Sequence, residues 1–316
     1  MSKKTIQLAN FNIVFLEDEK IEEPMLKYFD IVMNALSSDF RKGKETQIFF
    51  TDIRVIKQET EYVLIGKIVK KTTLEVKSIL DDQNRLQEAD NKYPAAPYSA
   101  FAIFLRNHRM AFAKNQKGSP TLREMESLTN ACLRAYINKD NKLRTNPVKM
   151  KNEAILIPAV SIKGIPGASN LTEILNRVNK IKKVSFRFFP LNGDVDFSAP
   201  FGTLISEIRK YSGSKTGNMS LNSPQNKEAV SQLVGSSQGT AEATIFVKYK
   251  DGTDGKITND NILEEKSITV SGDYVNEDEV AKVSGDITSL HQSTEEHNNI
   301  YKMYQSNIVP FVKKIR

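Results

Sequence analysis

In the segment Lys180-Ile-Lys-Lys-Val-Ser-Phe-Arg-Phe-Phe189, basic and apolar residues alternate. An extended strand sends successive side chains to opposite faces, so Lys183, Ser185 and Arg187 share one face while Val184, Phe186 and Phe188 share the other. A strand that buries its phenylalanines would hold Lys183 and Arg187 in a fixed row toward solvent. Arg177, Lys180 and Lys182 lie just before that row, and Arg209, Lys210 and Lys215 are near enough in sequence to join it in space. Cations arranged this way bind a sugar-phosphate backbone by displacing condensed counterions, a mode that is indifferent to base sequence and sensitive to salt. The competing reading is an ordinary amphipathic strand with solvated charges.

Two other places could meet phosphate. Lys163-Gly-Ile-Pro-Gly-Ala-Ser169 is a Gly-x-x-Gly turn leading into a helix start, where free backbone N–H groups and the helix dipole favour an anion beside Lys163. Single-stranded-RNA modules of the KH type clamp a backbone with such a loop. A plain turn that needs glycine for its dihedral angles explains the same residues. Arg106-Asn-His-Arg109 forms a polar, cationic tip between two apolar strands, and Arg106 and Arg109 are candidates for backbone contact with His108 beside them. Ser212-Gly-Ser-Lys-Thr-Gly217 lacks the leading glycine of a phosphate loop and follows a helix rather than a strand, which excludes nucleotide hydrolysis by that route.

Catalytic constellations are sparse. A metal-dependent nuclease needs two carboxylates converging on a metal and a lysine near the attacking water. Asp52 with Glu75 and Lys77, or Asp251 or Asp254 with Glu264 and Lys266, meet that pattern loosely. Solvated hairpin charges account for the second set. His291 and His297 are six apart, which does not suit an i,i+4 metal pair. Cys132 is the only cysteine, so internal disulfides and cysteine-based zinc clusters are excluded, and it reads as a buried small residue on an apolar helix face. No Ser/His/Asp set can be assembled, no catalytic residue and no metal ligand is assigned, and no cofactor is implied.

Charge is segregated along the 316 residues. The formal net charge is +7, but residues 139–215 hold 14 Lys/Arg against 6 Asp/Glu, and residues 250–300 hold 4 against 12. Such a distribution attracts polyanions to one region and repels them from another. The acidic block also raises the alternative of an interaction module that binds a basic partner or mimics DNA. No apolar run approaches the roughly 18 residues that span a bilayer, and Met1-Ser-Lys-Lys-Thr5 leads into no apolar signal core, so a cytoplasmic protein is expected.

The elements that would position these residues give an α+β protein: two mixed α/β units with antiparallel sheets and a C-terminal helix. Residues 5–16 alternate as a strand, and Pro24 opens a helix to about Phe40. Strands cover 46–56 and 62–69, followed by a charged loop or short helix over 81–96. The hairpin 98–114 comes next, and then a helix from Pro120. A polar linker over 138–152 divides an N-terminal domain, 1–145, from a basic central domain, 150–285. In the latter, strands at 154–162 and 183–189 alternate with helices from Ser169 and Phe201. A mobile Ser/Asn/Gln-rich stretch with a short helix after Pro224 lies between Ser212 and Gly239, and an edge hairpin is formed by 243–249 and 262–270. Residues 286–316 form the C-terminal helix, with Leu290, Ile300, Met303 and Tyr304 as its apolar stripe.

The order Phe101-Ala-Ile-Phe-Leu105, Met110-Ala-Phe-Ala-Lys114, Gly118-Ser-Pro-Thr121, with a fainter likeness over 155–197, resembles the RexA-type phage-exclusion proteins of temperate phages and prophages. The resemblance covers about half the chain and does not transfer functional residues one by one. It implies a cytosolic homodimer that binds double-stranded DNA with little sequence preference. Such a protein would act in anti-phage defence or abortive infection by sensing phage DNA and signalling to a separately encoded membrane or effector protein.

Overall fold

A computed structural model describes residues 2–19, 21–144, 154–189, 200–214, 216–270 and 272–312. The chain runs β1 (Ser2–Glu17), β2 (Ile21–Pro24), α1 (Phe29–Leu36), β3 (Gln47–Gln58), β4 (Glu61–Leu80), β5 (Leu86–Ala95), β6 (Tyr98–Phe104), β7 (Arg109–Lys114) and α2 (Leu122–Arg144). It continues with β8 (Leu156–Gly164), α3 (Ala168–Asn176), β9 (Val178–Phe188), α4 (Pro200–Ser212), β10 (Gly217–Asn222), α5 (Lys227–Gly235), β11 (Ala241–Tyr249) and β12 (Asp254–Thr258). β13 (Glu265–Val270), α6 (Glu277–Ser284), α7 (Thr288–His291) and α8 (Glu295–Ile308) complete it. The fold is α+β, with antiparallel sheets and a C-terminal helix.

The larger sheet has nine strands, with the path β13-β1-β7-β6-β4-β3 and with β2 and β8 also on β1 and β5 on β4. Both of its faces are covered. Phe101, Ile103, Met110 and Phe112 face a core shared with α1, α2 and α8, while Ala100, Ala102, Ala111 and Ala113 face the cluster containing Val280 and Ala281 of α6. Burial on two faces is why β6 and β7 read as nearly continuous apolar runs. The alanines on one side let α6 lie close to the sheet. Cys132 is 3% exposed in the first core, and burial pushes its thiol up to about 12, which keeps it protonated and unreactive.

A smaller, four-stranded sheet has the order β10-β9-β11-β12 and its own core, with Phe186, Val184, Ile245 and Val247 packed against Phe201 and Ile205 of α4, Leu171 of α3 and Val234 of α5. This unit is inserted into the edge of the larger sheet. β8 pairs with β1 from Ala9 to Glu17, and β13 pairs with β1 from Ser2 to Gln7. The two meet at Leu8, whose N–H donates to the Glu264 carbonyl at 3.0 Å and whose carbonyl accepts from Ile165 N–H at 2.8 Å. Gly164 lets Leu263 pack against this junction, since a Cβ there would fall 1.8 Å from Leu263 Cδ2 and displace that side chain.

Several expectations change. Residues 86–95 form β5 rather than a loop or short helix. The strand was obscured because it pairs only with the far half of β4, as an arm whose Leu74, Leu80, Leu86 and Tyr93 are exposed while Glu75, Lys77, Asp90 and Lys92 form ion pairs on the other face. α2 continues to Arg144 through the first part of the expected linker, and residues 145–152 lie outside the described residues. In the Ser/Asn/Gln-rich stretch the short helix after Pro224 is present as α5, but the stretch also forms β10, and both pack in the smaller unit. Residues 265–270 do not pair with β11. They return to β1, and β12 takes their place in the hairpin. Sheet membership therefore cuts across the linear division into 1–145, 150–285 and 286–316. On the tail, Leu290 is buried and Ile300 and Tyr304 pack on the main core, but Met303 is 68% exposed and Tyr301 and Ile308 take the inward positions.

Candidate nucleic-acid interface

Helices α3, α4 and α5 all supply side chains to the core on one face of the smaller sheet. The opposite face is open. β9 follows the alternation in its sequence, with Val184, Phe186 and Phe188 buried, Lys183 and Ser185 half-buried and Arg187 exposed. The register of β9 on β11 shifts between Phe246 and Val247, where Phe246 lies opposite Lys183 and Val247 opposite Ile181. The extra residue is Lys182. Lys180 then stands opposite Lys248, and a second shift beyond that pair makes Asn179 the extra residue. Such bulges turn successive side chains the same way. They let Lys180, Lys182 and Lys183 all reach solvent although three residues in four are basic.

The neighbouring strands add to this row. β11 presents Glu242, Thr244, Phe246 and Lys248 outward, and β12 presents Asp254, Lys256 and Thr258. Asn218, Ser220 and Asn222 of β10 stand beside Arg187, Ser185 and Lys183. Six cations and two acids thus share one sheet face. Lys182 is held by Asp254 at 2.7 Å, and that hydrogen bond keeps the Asp254 carboxyl below its usual range. Among the described residues, Lys180, Lys183, Arg187, Lys248 and Lys256 make no ion pair. The Arg187 guanidinium lies 5.4 Å from the Phe189 ring centroid, a contact that fixes its direction without neutralising it.

Among the described residues, Lys163 alone of the other candidates reaches this face, and it arrives already paired. Arg177 pairs with Glu173 at 2.5 Å, one turn back on its own helix. α4 lies behind the sheet, as the Phe186–Phe201 ring contact at 5.2 Å requires, so Arg209 points away and pairs with Glu22 at 3.5 Å. The side chain of Lys210 and the whole of Lys215 lie outside the described residues. Lys163 belongs to β8 of the larger sheet, pairs with Glu126 at 2.8 Å and with Glu242 of the open face at 4.0 Å, and shares the Phe189 ring with Arg187. The Gly-x-x-Gly turn beside it has Ile165 N–H donating to Leu8 and Gly167 N–H donating to the Ile262 carbonyl at 2.7 Å. Those two donors of the turn are occupied within the fold.

The hairpin tip is corrected as well. Asn107, His108 and Arg109 are 1%, 1% and 4% exposed. Asn107 donates to the Leu290 and Gln292 carbonyls, and Arg109 donates to the Gln238 carbonyl at 2.6 Å and to its Oε1 at 2.5 Å. Arg106, beside them, donates to Thr60 and lies over the Tyr301 ring. The tip is a polar socket that receives the C-terminal segment and the 235–240 loop of the smaller unit. Polar residues at a tip resemble a surface in sequence because their partners lie more than a hundred residues away. Arg109→Ala is expected to cost about 2–3 kcal/mol by leaving Gln238 without its donor. Chemical denaturation would show it.

The carboxylate sets are dispersed. Asp52 binds Lys67, Glu75 lies on the arm, Asp254 binds Lys182, and Glu264 accepts from Ser289. Among the described residues, no group of three His, Cys, Asp or Glu side chains is placed to hold a metal ion. The acidic block is likewise spread over the molecule: Glu277 and Asp278 bind Arg54, and Asp260 binds Arg123.

Sequence reasoning missed Phe246, Lys248 and Lys256. The signal was present in Ala-Glu-Ala-Thr-Ile-Phe-Val-Lys248, where the odd positions are small or aliphatic and face inward. An aromatic at an even position is therefore out of phase with its own strand. Among the described residues no helix is long and apolar enough to cross a membrane. No protein-family model matches this chain, and no curated protein matches it.

Proposed function

We propose that this protein binds DNA without sequence preference, through its backbone, on the open face of the β10-β9-β11-β12 sheet. Duplex DNA is the ligand to which the sequence pattern leads. The observation that carries the reading is the gathering of Lys180, Lys183 and Arg187 with Lys248 and Lys256 on one exposed sheet face, backed by a packed core that fixes their spacing. Cations held on a rigid sheet lose little additional freedom when a phosphate arrives, and each one displaces condensed counterions. A role in phage exclusion, as a homodimer that signals to a separately encoded membrane or effector protein, belongs to the same proposal and rests on the resemblance in sequence.

Gel-shift measurements over 50–200 mM salt with random-sequence DNA test the surface. The slope of log K against log salt is about −0.9 for each duplex phosphate contact. Changing Lys183, Arg187, Lys248 and Lys256 together to alanine should reduce that slope by about 3 to 4. A slope identical to that of the wild type would remove the face from consideration.

A further inference from the structure

We infer that this same face takes single-stranded DNA, with one base stacked on Phe246 and the flanking phosphates held by Lys183 and Lys256. The inference rests on the proposed DNA-binding reading and names the form of DNA the surface is shaped for.

The argument begins with the position of the ring. Phe246 is 38% exposed on an open sheet face whose inward positions already hold a complete core of Val184, Phe186, Ile245, Val247 and Ile257. Its direct cross-strand partners are Lys183 on one side and Lys256 on the other. Three adjacent strands thus place cation, aromatic and cation in one line, with about 5 Å between neighbouring Cα atoms. Along the strands, Phe246 is followed outward by Thr244 and Lys248, and Lys183 by Ser185 and Arg187. No larger side chain stands next to the ring on its own strand, so a flat partner can approach it.

A duplex makes poor use of this arrangement. Its base faces are stacked on one another inside the helix, and what it offers a flat sheet is phosphate and sugar. A phenyl ring between two lysines would then be pressed against charged oxygens. An unpaired strand exposes its base faces, and every base has one, so stacking on an aromatic side chain requires no particular sequence. The phosphates on either side of the stacked base then fall toward the ammonium groups on either side of the ring. Ser185, Thr244, Ser220 and Asn222 supply short polar groups around the platform that can meet base edges. The two side chains that flank the ring carry donors and no acceptor. They suit phosphate oxygens, and the choice of DNA over RNA rests on the proposed DNA-binding reading.

The sequence contains no tryptophan. Phe246→Trp therefore installs a single fluorescent reporter at the ring position, and Phe246→Ala removes the platform at a surface site where folding is not at risk. The full chain is titrated with a 20-mer of oligo(dT), the matching oligo(U) and a random 20-bp duplex, at constant low salt. Phe246→Ala should weaken oligo(dT) binding by about 5- to 150-fold, the effect of losing one stacked base, while leaving the salt slope and duplex affinity unchanged. Oligo(dT) should quench the tryptophan of the Phe246→Trp protein, and the duplex should not. Binding of all three ligands with no effect of Phe246→Ala and no quenching would overturn the inference while leaving the DNA-binding reading standing. Failure of oligo(dT) and duplex alike to bind the wild type would remove that reading itself. Tighter binding of oligo(U) than of oligo(dT) would overturn the assignment to DNA.

Discussion

Reversing two charges, Lys183→Glu together with Arg187→Glu, is expected to weaken binding of random-sequence DNA by about 100-fold at moderate salt. Non-specific protein–DNA complexes with about 6–10 phosphate contacts have dissociation constants of roughly 10⁻⁴ to 10⁻⁶ M, a little under 1 kcal/mol for each contact. The double reversal removes two attractions and adds two repulsions, about 3 kcal/mol in all. Both side chains point outward from a strand whose other face is buried, so the fold should tolerate the change. Reversing Arg177 and Arg209 provides the control, since these arginines pair with Glu173 and Glu22 away from the open face and should alter affinity only through net charge. Equal losses in the two double variants would mean that bulk charge, rather than this face, governs binding.

The largest pH-dependent effect on stability is expected at Glu277. Its side chain is 5% exposed, and it holds the Arg54 guanidinium at 2.8 Å and the Lys67 ammonium at 3.0 Å, where α6 meets β3 and β4. Burial alone would raise the Glu277 carboxyl, but the hydrogen bonds and charges of its backbone and of Arg54 and Lys67 bring it below the usual carboxylate range. Removing one partner of a buried pair costs about 3–5 kcal/mol where the other is stranded. Here Arg54 keeps Asp278 at 2.5 Å and Lys67 keeps Asp52 at 2.9 Å, and both cations are partly solvated, so Glu277→Gln should cost about 2 kcal/mol. A carboxylate depressed on folding contributes stability above its unfolded value, near 4.3, and loses it as pH falls through the lower folded value. The thermal midpoints of wild type and Glu277→Gln should therefore differ by several degrees at pH 7 and converge below about pH 4. A difference that stays constant down to pH 3 would show that the carboxylate charge is not what stabilises this junction.

The parts of this molecule that were legible in its sequence are those where a short-range pattern meets its partner nearby. The 98–114 hairpin could be read because both strands are apolar and only four residues separate them. The outward row of β9 could be read because parity alone decides which side chains share a face, and Val184, Phe186 and Phe188 mark the inner one. Long-range pairing left no such mark. β13 carries the same alternation whether it pairs with β11 next door or with β1 more than 250 residues away, and only the assembled sheet selects β1. Asn107 and Arg109 of the hairpin tip had the composition of a surface and the environment of a core, because Leu290 and Gln292 partner the first and Gln238 the second from far along the chain. Arg209 was misplaced for a different reason. Sequence proximity to β9 does not say on which side of the sheet the following helix will pack, and Phe201 decides that.

The interruption of one edge strand at Leu8 has a consequence for how the gene could be handled. The chain leaves the nine-stranded sheet opposite Ala9 and rejoins it opposite Gln7, two positions and therefore about 7 Å apart on a single strand. Everything from 166 to 262 is in effect a cassette spliced between two neighbouring points. A turn of a few residues could replace it without changing any strand register of the host, and an unrelated domain whose termini lie equally close could be grafted in its place.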